Sequence, residues 1–294
     1  MWLRQFQVFN ISFDFQKDLA PHLQEHALAP CPAHARTSFG WKTIAPDKYS
    51  ETIQSYSFCY FGKEERILPQ SVVNHTVETK ARELKEARGF PLKRHEKQQL
   101  KQDTEFNLLP KAFCVQKHQI ILFDQMRHRM FIQSTSQQQL ELIISLLHKT
   151  IGHSIEVNPI TPKDNFIQDW QTWLSEPQSL PHLLQLADKL AFIDEDNQRK
   201  QIKCQGYNWE EDSASHWMKQ GLIPSEISLV WREMIQFHLN PQLGFKRVQA
   251  LPAFKDQIDA QILEDDAQNE QLTQLLLLGH TYQQFLDDML TIST

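Results

Sequence analysis

Residues 80–101 read KARELKEARGFPLKRHEKQQLK. They hold eight basic side chains (Lys80, Arg82, Lys85, Arg88, Lys93, Arg94, Lys97 and Lys101) against Glu83, Glu86 and Glu96. The local excess is +5, in a chain of 294 residues whose net charge is −6, so the other 272 residues sum to −11. The pattern is that of two helices. Pro69-Gln70-Ser71 opens the first, with Ser71 as N-cap, and Val73, Val77, Ala81 and Leu84 form one apolar stripe. Gly89 and Pro91 break it. A second helix runs from about Leu92 to Phe106, and Pro110 closes the unit. Residues 71–110 are therefore a helical hairpin inserted between strand regions.

Outward from the hairpin, residues 1–70 read mostly as strands. Phe9, Ile11, Phe13 and Phe15 alternate with polar residues, as one buried sheet face requires. A short helix follows at about 17–27. Tyr56, Phe58 and Tyr60 give a second alternating run, ending in a polar turn at Gly62-Lys63-Glu64-Glu65. Strands resume at Gln119–Phe123 and Met130–Gln133. A helix over Gln137–Thr150 has Leu140, Ile143, Ile144 and Leu147 on one face. Residues 166–200 read as helical, interrupted at Pro177 and Pro181. Ile227–Leu239 and Leu243–Val248 read as a hairpin turning at Asn240-Pro241. The last piece reads as a helix with Leu272, Leu275, Leu276, Tyr282, Phe285, Leu286 and Met289 inward.

The order lacks βαβ alternation, so the expected class is α+β: mixed antiparallel sheets, an inserted helical hairpin and a mainly helical C-terminal region. Residues 1–70 and 111–165 form a central α+β domain, 71–110 a basic hairpin tip, and 166–294 a base domain with a β-hairpin and an acidic C-terminal helix. From Asp256 onward the chain has eight acidic residues and no Lys or Arg.

Composition narrows the function classes. With 40% hydrophobic and 22% charged residues the chain is globular rather than disordered. No apolar run approaches the roughly 18 residues of a membrane span, and the N-terminus has no signal-peptide core, so a cytoplasmic protein is expected. Cys31, Cys59, Cys114 and Cys204 lack the paired spacing of a zinc site. Nucleotide-loop, zinc-protease and nucleophile-elbow motifs are absent. His95, His118 and His128 sit among basic residues, which disfavours a bound cation. Asp194, Glu195 and Asp196 are suited to Mg²⁺ only if consecutive acids could converge, and a solvated loop fits them better. No cofactor, metal or catalytic group is expected.

The hairpin carries the functional signal. Lys93, Lys97 and Lys101 recur every four residues and span about 12 Å at 1.5 Å per residue. Arg82, Lys85 and Arg88 recur every three. Between 93 and 101 only Glu96 offsets Lys93, Arg94, Lys97 and Lys101, so a merely solvated helix would leave its self-repulsion uncompensated. Rows of cations on two helices suit duplex phosphates, bound without regard to sequence. Phe90 and Phe106 alone interleave, which favours duplex over a stacking platform for single strands. An adaptor that docks an acidic partner on the hairpin is the alternative.

Several motifs are similar, in order, to those of the RdgC family of recombination-associated bacterial DNA-binding proteins. Met1-Trp2-Leu3-Arg4-Gln5-Phe6 resembles its opening MWFKNL. Cys31 with Gly40-Trp41 resembles its PC…GW element, and Glu64 to Val73 its EEKILPSxVV. Leu108-Leu109-Pro110-Lys111-Ala112-Phe113 resembles LLPRAF, Trp170–Leu174 the TEWL-type helix, and Ile235–Phe237 with Phe245–Arg247 the late IxF…LKR hairpin. The resemblance implies a ring-shaped homodimer with duplex DNA in a basic hole, nucleoid association, restraint of RecA-promoted strand exchange and no nuclease or ATPase activity. It places Phe113 at a dimer contact and adds Lys246 and Arg247 to the DNA-binding candidates. The family's CKGQDL aligns with Cys204 to Trp209, where Gln205 and Tyr207 replace its Lys and Gln. Lys200 and Lys203 are the neighbouring sources of charge, and Lys203 joins the candidates.

Overall fold

The computed structural model describes residues 3–152, 154–194, 200–207, 214–263 and 270–293. Its strands are β1 (Gln7–Ile11), β2 (Thr37–Lys42), β3 (Ser50–Ile53), β4 (Tyr56–Ile67), β5 (Phe113–Asp124), β6 (Arg129–Ile132), β7 (Val157–Pro159), β8 (Leu184–Asp194), β9 (Gln201–Gln205), β10 (Leu222–Trp231), β11 (Ile235–Leu239) and β12 (Phe245–Ala250). Its helices are α1 (Gln70–Arg88), α2 (Arg94–Leu108), α3 (Gln137–Ile151), α4 (Phe166–Ser175), α5 (Ser215–Lys219), α6 (Pro252–Leu263) and α7 (Glu270–Ser293). The chain is a mixed α+β protein with antiparallel sheets. It divides into two compact units, one of Met1–Pro21, Ser50–Phe58 and Ile120–Thr294, the other of His22–Tyr49 and Cys59–Gln119. β4 and β5 contribute residues to both.

The second unit holds β2, β4 and β5 in that order, with the α1–α2 hairpin between β4 and β5. Gly40 of β2 faces Gly62 of β4. A Cβ on Gly40 would stand 2.7 Å from the Ala27 carbonyl carbon, because the 27–28 backbone lies directly on β2, with Leu28 N–H donating to the Trp41 carbonyl at 2.8 Å. Gly62 thus serves close approach within a strand rather than the turn expected at 62–65. Glu64 is buried there, accepting from Cys31 N–H and, at 3.1 Å, from the Gln116 amide. These bonds hold its carboxyl below the usual range, the Cys31 N–H contributing most.

In the first unit, the C-terminal end of β5 continues through β6 and β1 to β7, all antiparallel. α3 follows the expected 3.6-residue stripe, burying Leu140, Ile143 and Leu147. Residues 15–26 form a π turn and two short 3-10 turns in place of one helix. A second sheet runs β12-β11-β10-β8-β9.

This second sheet corrects the reading of 166–294 in two places. Residues 184–194 form β8, a central strand, where helix is expected. Its Leu, Ala and Lys content favours helix, but β9 and β10 satisfy its backbone on both edges, and tertiary pairing overrides propensity. The expected β-hairpin is a three-stranded meander. Its first turn falls at Arg232 and Glu233, both with positive φ (49° and 56°).

The core lies where α7 crosses this sheet. Phe285 packs on Trp231, Phe237 and Phe245 with ring centroids 5.4, 4.8 and 5.2 Å apart, and on Phe6 at 6.4 Å. Phe6 and Phe245 exchange backbone hydrogen bonds of 2.8 and 2.9 Å. Tyr282, Leu286 and Met289 are buried with Phe285. Leu276 is half-buried, while the side chains of Leu272 and Leu275 lie outside the described ones. Two acids of α7 act as clamps. Asp287 pairs with Arg129 at 2.6 Å and Arg127 at 3.1 Å, and Asp288 accepts from Trp231 Nε1 and Arg232 at 2.9 Å. No described helix is long and apolar enough to cross a membrane.

Candidate nucleic-acid interface

Gly89 caps α1 in the left-handed region (φ 79°), its N–H donating to the Lys85 carbonyl. Lys93 is the extended N-cap residue of α2, and the Glu96 carboxylate accepts its N–H at 2.7 Å. That bond, more than the neighbouring Arg88 and His95, lowers the Glu96 carboxyl from its ordinary range. Glu96 also binds Arg88 at 3.1 Å across the turn. Of the seven hairpin candidates Arg88 is therefore capped by a carboxylate. Arg82, Lys85, Lys93, Arg94, Lys97 and Lys101 form no ion pair among the described residues. All but the half-buried Lys101 are exposed.

Lys93, Lys97 and Lys101 do not share one helical face as their spacing predicts. Lys93 stands outside the helix, so the face that carries cations on α2 is Arg94, Lys97 and Lys101. With Gln98 they line an open groove of about 410 Å³ whose other wall is Asn74, Val77 and Glu78 of α1. By helical spacing Arg82 and Lys85 continue the Asn74–Glu78 face of α1 toward the turn. Asn74, Glu78 and Gln98 belong to no recognisable motif, and no sequence signal marked them.

The placement of the cations works against helix stability. The N-terminus of a helix carries about half a positive charge, so acids belong there and cations at the other end. The first turn of α2 instead holds Arg94, His95 and Lys97, offset by Glu96 alone. Each misplaced charge costs roughly 0.3–1 kcal/mol at low ionic strength. The two helices have little apolar packing to spare for this, since Val73, Val77 and Thr104 are the only buried residues of α1 and α2 among those described.

Phe113 starts β5 and is 85% exposed, so it takes no part in the core of its own protomer. Arg66 organises the turn before it. Its guanidinium donates to the carbonyls of Leu109, Pro110 and Ala112 at 3.3, 3.4 and 3.2 Å, and to those of Cys31 and Pro32 at 3.0 and 3.3 Å. Arg66 is thus a positioning residue inside the Glu64–Pro69 motif.

The remaining candidates lie on the five-stranded sheet of the other unit. Lys203 is exposed on edge strand β9, facing Ala191 of β8, which faces Glu226 of β10. Glu226 binds His238 of β11 at 2.9 Å and Lys246 of β12 at 3.1 Å. These bonds, His238 foremost, pull the Glu226 carboxyl down to about 2. Lys246 is therefore engaged in an ion pair, whereas Arg247 is exposed at a positive φ of 49°. Lys200 pairs with Asp194 at 3.2 Å, so Asp194 already has a cation. Glu195 and Asp196 lie outside the described residues, as do Asn208 and Trp209. Tyr207 is buried near Trp217, so it presents no polar group comparable to the Gln it replaces. No group of three metal-ligating side chains occurs among the described residues.

Fold and surface together define an α+β protein that presents a basic helical hairpin and an exposed aromatic at the hairpin's exit. A sequence model of the family described as "Putative exonuclease, RdgC" matches residues 1–292. The chain belongs to the RdgC family. It is 25% identical to the recombination-associated protein RdgC of Pseudoalteromonas translucida, over 98% of this chain and 96% of that one. The proteins of the same name from Haemophilus influenzae and Pasteurella multocida are each 26% identical, the former over 95% of this chain and 93% of its own.

Proposed function

We propose that this chain is a sequence-independent, mainly double-stranded DNA-binding protein that modulates homologous recombination. It acts without catalysis, by covering duplex and denying it to RecA-promoted strand exchange. It does so as a ring-shaped homodimer, cytoplasmic and associated with the nucleoid. The observation that carries this reading is the set of cations on α1 and α2 that form no ion pair among the described residues, above all Arg94 and Lys97, placed where they weaken their own helix. A ligand rich in negative charge accounts for them, and phosphate supplies it without base readout. The names of the relatives support the recombination role. Arg82, Lys85, Lys93, Arg94, Lys97 and Lys101 are the proposed phosphate contacts, with Lys203 and Arg247 second. Arg88 and Lys246 must first leave Glu96 and Glu226. The acidic overall charge is no obstacle, because one face can be basic while the rest is acidic.

Of the adaptor alternative, in which the hairpin docks an acidic partner, the form that uses the acidic C-terminal region of a second copy is weakened by Asp287 and Asp288. Both are held by Arg127, Arg129, Trp231 and Arg232 within their own unit. Fluorescence anisotropy with a random-sequence duplex separates the readings: binding is expected, and its absence at low salt contradicts the proposal.

Phe113 serves self-association. An exposed side chain held by a rigid turn can enter a partner at little ordering cost. Phe113→Ala is expected to leave protomer stability within about 0.5 kcal/mol while shifting the sedimentation profile toward monomer. An unchanged dimer with full DNA binding contradicts this role.

A further inference from the structure

We propose that the loop at 31–36, locked by Arg66, is a strut that holds the α1–α2 hairpin and Phe113 in one fixed frame. Arg66 is then a positioning residue for duplex binding and self-association together. This rests on the reading of the hairpin as a phosphate surface and of Phe113 as a contact with a second copy, and adds what sets one against the other.

Chain connection alone leaves the hairpin able to pivot. α1 follows β4 after Leu68 and Pro69, and α2 returns to β5 through one 3-10 turn, Leu109–Lys111. From Phe106 back to Arg94 the helix rises about 18 Å at 1.5 Å per residue, so a tilt of about 15° at its root carries Arg94 through about 5 Å. That is further than a charge-assisted hydrogen bond to phosphate reaches, about 2.8 Å.

Residues 31–36 supply the missing fastening. Arg66 lies between their backbone and the hairpin's exit. Its Nη2 and Nε donate to the Cys31 and Pro32 carbonyls, and its Nη1 to those of Leu109, Pro110 and Ala112, just before Phe113. The Arg66 N–H donates to the Arg36 carbonyl at 2.9 Å. The same loop then grips the last turn of α2 with two side chains. The His34 ring stacks on Phe106, with centroids 4.0 Å and planes 7° apart, and Arg36 pairs with Glu105 at 2.7 Å. Phe106 is 57% exposed, so its ring serves this contact rather than a core. All these residues belong to one compact unit. Only a guanidinium suits the junction: its planar fork carries five N–H donors, whereas an ammonium offers three from a single point and cannot span two loops.

The test uses the full chain, a labelled random-sequence duplex across a salt series, and sedimentation without DNA. Arg66→Lys keeps the charge and loses the fork. It is expected to lower duplex affinity about tenfold at low salt and to make log K against log[salt] shallower by about two, because fewer phosphates are met at once. It should also shift sedimentation toward monomer. Phe106→Ala, which removes an exposed ring and leaves the fold intact, is expected to act in the same direction by about threefold. The double variant should lose little more than Arg66→Lys alone, as two parts of one fastening do. Wild-type slope and sedimentation in both single variants overturn the strut, as does full additivity of the two. A change in only one of the two readouts overturns the shared frame. Normal binding by Arg66→Lys with loss in Arg66→Met makes Arg66 a direct phosphate contact and also overturns the proposal. If circular dichroism shows Arg66→Lys unfolded, Phe106→Ala alone decides by the same criteria. Wild-type protein that binds no duplex at low salt overturns the DNA-binding reading itself, and wild-type protein that sediments as a monomer overturns the self-association reading, the strut falling with either.

Discussion

Replacing Arg94, Lys97 and Lys101 together with Glu is expected to lower duplex affinity at least about 100-fold at low salt, for every sequence alike. Each substitution removes a phosphate contact and adds a repulsive charge. The plot of log K against log[salt] should become shallower by about three per protomer, close to one for each lost contact. The same change should not damage the fold. Glu at positions 94 and 97 places acids in the first turn of α2, where the helix dipole favours them. Thermal stability should stay level or rise while binding collapses. That opposition separates a binding role from a structural one, since cations that support the hairpin would lose stability on reversal. A loss confined to one duplex sequence points to base readout instead, and unchanged binding removes these residues from the interface.

The largest expected change in stability belongs to Phe285→Ala. Phe285 is fully buried and touches aromatic rings from β10, β11, β12 and the N-terminal segment. Truncation leaves a cavity that these four large aromatics cannot easily close, since Phe6 is itself packed on Tyr282, which hydrogen bonds to the Leu3 backbone at 2.9 and 3.0 Å hold in place. A cost of about 3–5 kcal/mol is expected, read by denaturant unfolding as a fall in midpoint at constant slope. It should lower Tm by roughly 10 °C. A cost below about 1 kcal/mol contradicts the seating of α7 on the five-stranded sheet. The contrast with Phe113→Ala is instructive: the same deletion of a phenyl group is expected to cost stability in one place and assembly in the other, because Phe285 is fully buried and Phe113 is exposed.

The hairpin was legible because its determinants are local. Gly89 and Pro91 act on their own backbone, and Val73 and Val77 repeat at helical spacing. The pairing of specific charges was not. Sequence spacing grouped Lys93 with Lys97 and Lys101, but the extended backbone at Lys93 takes it off the helix and Arg94 takes its place. Whether a cation is free depends on its neighbours in space: Arg88 meets Glu96, and Lys246 meets a Glu226 twenty residues away. β8 was misread for a similar reason. Leu184, Leu190 and Ala191 suit a helix as well as a strand, and only pairing with β9 and β10 decides between them. Phe285 was legible from the inward face of its helix, whereas no periodicity marks Phe113, and its exposure appears only in the fold. The resemblance to the RdgC family supplied the order of the motifs and singled out Phe113, but not the groove or the role of Arg66.

Duplex affinity of the wild-type protein across a salt series tests the central claim most directly. If the six proposed contacts of each protomer neutralise about twelve phosphates per dimer, log K falls against log[salt] with a slope of about −11. Affinity that stays level between low and moderate salt contradicts the account, because cations that displace no counterions are not holding phosphate.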